Sequence, residues 1–397
     1  MAAMRLMLLA AATSTASTLD PPRRNFLSRP SQLCPFSGQS VLITGGTQGI
    51  GKAAAQEFIR YGAARVHIIG RSKSRGAAAK QQLLAFAAGL ASESVSCIDR
   101  DADLSSMVQH HSLDVGSFGP VTSAMQDLLN SSTFRTDMCR YPLKYALNAA
   151  ALTGVVLDKG IFELSPQFMQ NTWNLNAFRV NTEGNLWSVA AEWAYFRDVA
   201  KKCGKAGEVM DVSIVSMSSI DGIRGCPTCA VYSMTKYSIN GLVNSVALEA
   251  RDPSNRIIEL GDGKNLTLNL RINSVLPGLV DTPFTWNQGR WASGMQVFQC
   301  CDGNYRNATL RECADAIKRG EAKKITSDLI CADPAECACP NVARDDPDWA
   351  AAFTEDMMVD LLQPEQIAGT IISLSNNMLS AAVTGTQVTT DFGSHNK

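Results

Sequence analysis

The chain has no apolar stretch of eighteen residues, so nothing in it reads as a membrane-spanning helix. It also has no face-forming run of Lys or Arg, and its net charge is -1. Nucleic acid and anionic membrane are therefore not expected as main partners. No repeat of fixed period and no long low-complexity tract stands out. At 397 residues, 45% apolar and 18% charged, the composition is that of a soluble globular enzyme, long for one domain. Acids are nearly missing from the start: Met1 to Pro30 holds four Arg and one acid, Asp20, with a short apolar run from Leu6 to Ala12. Residues 1–33 are expected to be a secretory signal, an organellar transit segment or an unstructured terminus. They are set apart from a folded unit over 34–397. A secretory or organellar location follows from the first two readings, and a cytoplasmic one from the third.

Two stretches carry chemistry. Tyr232-Ser-Met-Thr-Lys236 puts a phenol and an ammonium four residues apart on one helix face, with Ser219 thirteen positions upstream. A phenol ordinarily keeps its proton up to a pH of about 10. A neighbouring ammonium favours phenolate, so the pair can exchange a proton with an alcohol or carbonyl oxygen, which a serine hydroxyl can hold. The bland alternative is a solvated Tyr–Lys pair.

The second stretch runs from Ser40-Val-Leu-Ile-Thr44 through Gly45-Gly-Thr47-Gln-Gly49-Ile50-Gly51 into a good helix former, Lys52 to Arg60. Strand, glycine turn and helix in that order favour a dinucleotide site. Gly45 allows the tight turn, Gly49 a close approach to pyrophosphate, and Gly51 helix-on-strand packing. The next strand, Arg65 to Gly70, ends at Arg71-Ser-Lys73-Ser-Arg75 instead of at an acid. Three cations suit a 2′-phosphate, with Arg71 foremost, so NADP(H) is the expected cofactor and NAD(H) the alternative.

Taken together, Thr44-Gly45-x-x-x-Gly49-Ile50-Gly51, Asn181-x-x-Gly184, Ser219-x-x-Gly222, Tyr232-x-x-x-Lys236 and Pro277-Gly278-x-Val280-x-Thr282 resemble the short-chain dehydrogenase/reductase family from about Gly38 to Gly393. The resemblance implies one α/β unit, a doubly wound, mostly parallel seven-stranded Rossmann-type sheet, acting on a small-molecule alcohol or carbonyl. It implies Tyr232 as acid/base, Lys236 as its cation partner and a ribose ligand, Ser219 as the substrate-orienting hydroxyl, and Asn181 as holder of a relay water. Asp114 resembles the adenine contact, and Pro277 to Thr282 the loop seating the nicotinamide carboxamide through Thr282. Thr44, Thr47, Ile50, Asn148, Gly278 and Val280 match other positions lining the cofactor. Leu147-Asn148-Ala149-Ala150 stands where the family has Asn-Asn-Ala-Gly, and Ala150 in place of the glycine puts turn geometry or cofactor affinity in question. A homodimer or homotetramer through the helices of Asn181 and Tyr232 is also implied. The alternative is a cofactor-binding redox-sensor or interaction module without turnover.

The chain has twelve cysteines, and six lie between Cys300 and Cys339 in the expected substrate-lid region, 283–362. An even count suits disulfides in an oxidising compartment. A zinc site is the second reading, disfavoured because no histidine and no finger spacing accompany them, and reduced thiols are the plain alternative; no metal ligand is assigned. Cys226-Pro-Thr-Cys229, between Ser219 and Tyr232, is either a pocket lining, a static bridge or a redox switch. Trp286, Trp291, Met295 and Phe298 read as an apolar lid or as ordinary packing. The extra segments Ala91 to Met107 and Arg251 to Thr267 are expected to loop out at the surface.

Overall fold

The computed structural model describes residues 34–391 apart from 94–95, 99–103, 118–122, 153–176, 227–228 and most of 281–361. The terminal segment 1–33, most of the cysteine-rich stretch and the lid side chains Trp286, Trp291, Met295 and Phe298 lie outside the described residues.

The chain alternates strand and helix. In order come β1 (Ser40–Thr44), α1 (Gly49–Arg60), β2 (Arg65–Ile69), α2 (Lys73–Ala91) and β3 (Val108–His111). Two short helices follow, α3 (Ala124–Asn130) and α4 (Ser132–Arg135), then β4 (Leu143–Asn148), α5 (Gly184–Cys203) and β5 (Val209–Met217). The second half holds α6 (Ala230–Glu249), α7 (Pro253–Arg256), β6 (Ile257–Gly261) and β7 (Lys264–Pro277), then α8 (Pro364–Ser375), α9 (Asn377–Ser380) and β8 (Gln387–Thr390). Seven strands pair in parallel in the order β3-β2-β1-β4-β5-β7-β8. The strand order reverses between β1 and β4, which opens a crevice at their carboxyl ends, where ligands bind in such sheets.

Side-chain alternation along the strands separates two apolar layers. Val41 and Ile43 of β1, Tyr145 and Leu147 of β4, and Val215 of β5 pack under α1, α2 and α8 through Phe58, Leu83 and Ile371. Leu42, Ala146, Val212 and Ile214 point the other way, against Val189 and Phe196 of α5 and Val243 of α6. The sheet is thus covered on both faces, as a parallel sheet must be.

The expected surface loop at Arg251 to Thr267 is instead part of the sheet. Asp252 caps α7, and β6 folds back on the start of β7 as an antiparallel hairpin. Its turn, Gly261-Asp262-Gly263, runs through positive φ at all three residues (94°, 52° and 71°). Two glycines around an aspartate supply that backbone cheaply, which a reading by polarity alone overlooked.

Arg271 of β7 is buried and finds its partners at the end of α8. Its guanidinium donates to Leu374 O at 2.6 Å, Ser380 Oγ at 2.7 Å and Ser375 O at 2.9 Å, and also to Asn377 Oδ1. A cation at a helix C-terminus satisfies carbonyls the helix leaves open. Disulfides Cys34–Cys97 and Cys139–Cys203 close separations of 63 and 64 residues. Neither lies in the cysteine-rich stretch where bridges were expected.

His67 of β2 and His111 of β3 stack with ring centroids 5.3 Å apart, and His67 Nδ1 lies 3.1 Å from His111 Nε2. Burial, and then His111 itself, push His67 down to about 3; burial and then His110 push His111 down to about 4. Both rings are therefore neutral in the fold and protonate readily only when it opens. The sign follows: stability is whole above the ordinary imidazole pKa of about 6.5 and is lost as pH falls towards 4. A melting series should show Tm dropping across that window, with a shallower drop in His67→Gln; identical slopes would count against the pair.

Candidate active site

The glycine turn after β1 is packed too closely for side chains. Gly45 has φ +69°, and a Cβ there would sit 2.8 Å from the backbone of Ala149 and Ala150. A Cβ on Gly51 would meet Gly45 O at 2.4 Å, and one on Gly49 would meet the Thr282 side chain at 3.2 Å. Thr47 fills the space over Gly70 at the end of β2. The turn is therefore a backbone cradle opening at the head of α1, whose first N–H groups have no helical partner. That shape fits a dinucleotide pyrophosphate.

Ala150 does not need a glycine's freedom. Among the described residues only Asp262 combines a side chain with positive φ. The Ala150 N–H donates to Thr44 Oγ1 at 3.1 Å, and Ala149 N–H donates to Thr44 O at 3.2 Å. The alanine thus leaves the turn geometry intact.

At the end of β2, Arg71 is exposed, with its guanidinium 3.8 Å from the Asp114 carboxylate. Asp114 also accepts from the Gly116 N–H at 3.0 Å. The two expected cofactor contacts thus stand together at the rim. Ser72 caps α2, so the following cations Lys73 and Arg75 belong to its first turn. The loop after β7 returns over the cradle: Gly278 N–H donates to Thr390 O at 3.1 Å, Val280 bridges to Leu362, and Thr282 is buried beside Gly49.

Ser219 leaves β5 in extended backbone and starts a tight turn, its Oγ accepting from the Asp221 N–H at 3.1 Å. Asn240 holds that turn, donating to Gly222 O at 2.9 Å while accepting from Ser274 at 3.0 Å. Tyr232 and Lys236 project from α6, and the Ser219 side chain lies near enough to the Tyr232 phenol to act on it. The Lys236 ammonium is buried, donates to Met217 O at 2.9 Å and lies 5.5 Å from the Tyr232 ring centre. Asn181 sits in a π-turn, Arg179–Glu183, at the head of α5. Its side chain grips Leu152 N and O at 2.8 and 2.7 Å and Thr235 Oγ1 at 3.0 Å. Such a turn widens the helix and commonly marks a functional position.

The electrostatics differ from the sequence expectation in one respect. Burial raises the Tyr232 phenol well above its ordinary value, the Asp221 charge adds to the rise, and the Ser219 side chain only partly offsets it. The ammonium does not draw the phenol towards phenolate, because burial pushes Lys236 itself down to about 7 and it is half neutral near physiological pH. Tyr232 is therefore a proton-holding phenol in the cofactor-free fold.

Two participants, Asp221 and Phe284, escaped sequence reading, and the Cys226–Cys229 pair was read only as one of three alternatives. Asp221, beside Arg224 at 3.4 Å, sets a carboxylate against the Ser219 turn. Phe284 lies 6.2 Å from the Tyr232 ring. Cys226 and Cys229 are bonded to each other, closing the loop that leads into α6. Only the Cys-x-x-Cys spacing was visible beforehand; a lone Asp or Phe carries no pattern.

A family model described as short chain dehydrogenase matches residues 39–113. No curated protein matches the sequence. Levodione reductase superposes over 91% of this chain and 99% of its own, at 16% identity and a TM-score of 0.55. A 3-oxoacyl (acyl-carrier-protein) reductase from Agrobacterium tumefaciens C58, solved with NADP bound, does so over 91% and 96%, at 17% identity and a TM-score of 0.53. A short chain dehydrogenase from Bacillus anthracis covers 91% and 98%, at 17% identity and a TM-score of 0.52. At such identities the likeness is one of fold. The family-model match spans the glycine turn and the strand end bearing Arg71, and along the rest of the chain the likeness to these reductases and dehydrogenases is one of fold.

Proposed function

We propose that the protein is an NADP(H)-dependent oxidoreductase that interconverts a carbonyl and an alcohol on a small organic substrate, chiefly in the reducing direction. The observation that carries this reading is that Ser219 and Tyr232 come together beside buried Lys236, at the same sheet edge as the glycine cradle. Bound nicotinamide supplies hydride chemistry. The residues here supply the rest. Ser219 and Tyr232 hold the substrate oxygen, and Tyr232 gives it a proton. The raised pKa keeps the phenol protonated at neutral pH, the form in which it can give that proton. Lys236, poised near 7, replaces that proton, with Asn181 holding a water on the way to solvent.

Gly45, Gly49 and Gly51 admit the pyrophosphate, Thr282 seats the carboxamide, and Asp114 contacts adenine. Arg71, with Lys73 and Arg75, takes the 2′-phosphate, since no acid stands at the end of β2 to hold a free ribose hydroxyl. Phe284 supports an apolar or aromatic carbonyl compound as substrate.

The test is NADPH oxidation by the purified protein against a broad carbonyl panel. Turnover is expected with NADPH in preference to NADH, falling about 10²–10⁴-fold in Tyr232→Phe. Arg71→Ala should raise KM for NADPH alone, about tenfold or more. Cofactor binding without turnover of any carbonyl would instead support a redox-sensing or partner-binding module.

We propose that two copies pair through α5 and α6. Leu186 and Trp187 are each 43% exposed on α5, as are Met234 and Tyr237 at 50% and 48% on α6, a large apolar surface for two neighbouring helices. Light scattering should give at least a dimer mass, reduced to a monomer in Trp187→Asp/Met234→Asp; a monomeric wild type would end this reading.

We also propose that the chain folds in an oxidising compartment. The long-range bridges Cys34–Cys97 and Cys139–Cys203 support this. Asn265 of the sequon Asn265-Leu-Thr267 is exposed on the hairpin. Alkylation of the protein from its native cells should find these four cysteines oxidised, and reduced thiols would refute the proposal. A glycosidase-sensitive mass at Asn265 separates a secretory from an organellar route.

A further inference from the structure

Helix α5 carries a buried polar stripe that the proposed chemistry does not use. Asn185, Ser188 and Glu192 recur at helical spacing and are all buried. Glu192, fully buried, accepts from Asn148 Nδ2 at 3.0 Å. The other half of each side chain is unsatisfied: Glu192 Oε1 and Asn148 Oδ1 have no partner. Two buried acceptors without a donor, on side chains already joined by one hydrogen bond, are costly in an apolar interior. The Ser216 hydroxyl, beside Asn148 in the sheet register, has one proton and can serve only one of these oxygens. A proton on Oε1 serves both at once, turning two orphans into one hydrogen bond.

Asn148 is also well placed to matter. It closes β4 opposite Thr44 of β1, and the next residue, Ala149, is the backbone against which Gly45 lies. We propose that Glu192 is a positioning residue: a neutral carboxylic acid that forms a two-hydrogen-bond acid–amide pair with Asn148 and so holds the end of β4 against the cofactor cradle. Its effect on cofactor rests on the dinucleotide reading above; the acid–amide pair does not.

The environment agrees. Burial raises the Glu192 carboxyl to about 8, with the Asn148 bond opposing, and no charged neighbour contributes. The titratable groups on the elements around it are Arg179, Glu183, Tyr195, Arg197, Asp198, Lys201 and Lys202 of the α5 region, Lys144 and Tyr145 of β4, Asp211 of β5, and Tyr232, Lys236, Tyr237 and Glu249 of α6. None of these acts on Glu192. When the acid ionises, its O–H is lost, two acceptors are again without a donor and the pair loosens.

The experiment compares the full protein with Glu192→Gln, which keeps the shape and can still pair with Asn148 but has no proton to lose. Infrared difference spectra should show a deuterium-sensitive carbonyl band of a protonated carboxyl at neutral pH, disappearing with a midpoint near 8 and missing from the variant. Isotope-labelled glutamate gives the same reading on wild type alone, should the variant fail to fold. Relative to the variant, wild-type Tm should fall as pH rises from about 4.5 to about 8 and then level off, the sign for a group whose folded pKa is raised. NADPH affinity, read by fluorescence, should weaken about fivefold above pH 8 in wild type only, the equivalent of one ordinary hydrogen bond. No band, or a band titrating in the ordinary carboxyl range, overturns the pair. A titrating band with pH-independent NADPH affinity overturns the positioning role. A titrating band with no NADPH binding at any pH leaves the pair standing and refutes the cofactor reading instead.

Discussion

The structure depends on one backbone-to-backbone contact. The turn after β1 lies so close to the end of β4 that Gly45 has no room for a Cβ, and α1 starts so close to that turn that Gly51 has none either. Close packing of this kind fixes three things together: the separation of β1 from β4, the direction of α1, and the mouth of the crevice at the switch point. Thr44 reinforces it from below by accepting the N–H groups of Ala149 and Ala150. A helix dipole then points into an opening that side chains cannot fill.

The chemical groups reach the same edge by independent supports. Ser219 is set by the Asn240-braced turn after β5, Tyr232 and Lys236 by α6, and Asn181 by the π-turn at the head of α5. Buried polar residues tie these supports together: Asn181 to Thr235, Asn240 to Ser274, and Ser218 to the Lys236 carbonyl. Such a layer costs stability unless each group is satisfied. It makes the site rigid at the expense of the apolar packing that holds the rest of the sheet.

Burial also sets the proton chemistry. Tyr232, Lys236 and Glu192 all sit where charge is poorly solvated, so each is pushed towards its neutral form. A spacing of four residues between Tyr232 and Lys236 says only that the two can meet. It says nothing about how dry their surroundings are, and dryness decides which of them holds the proton.

Much of the architecture was legible beforehand, because strand-length apolar runs, a glycine turn and helix formers are local signals. The turn glycines, Ser219 and the Tyr232/Lys236 pair were readable as a set, since motifs of fixed spacing record a geometry. The hairpin at Ile257 to Thr267 was missed although its Gly261-Asp262-Gly263 turn is local; polarity was given weight over turn chemistry. Asp221, Phe284, the Arg271 clamp on α8 and the Glu192–Asn148 contact left no pattern to read. Asp221 acts locally, but Phe284, the Arg271 clamp and the Glu192–Asn148 contact join residues brought together by crossovers, and Glu192 lies 44 positions from its partner. By itself, then, the sequence determined the element order, the glycine cradle and the spacing of Ser219, Tyr232 and Lys236, through local conformational preference. The tertiary structure decided which carboxyls are buried, which cysteines meet and where each proton rests, because those depend on distance and solvent exclusion between segments far apart in the chain.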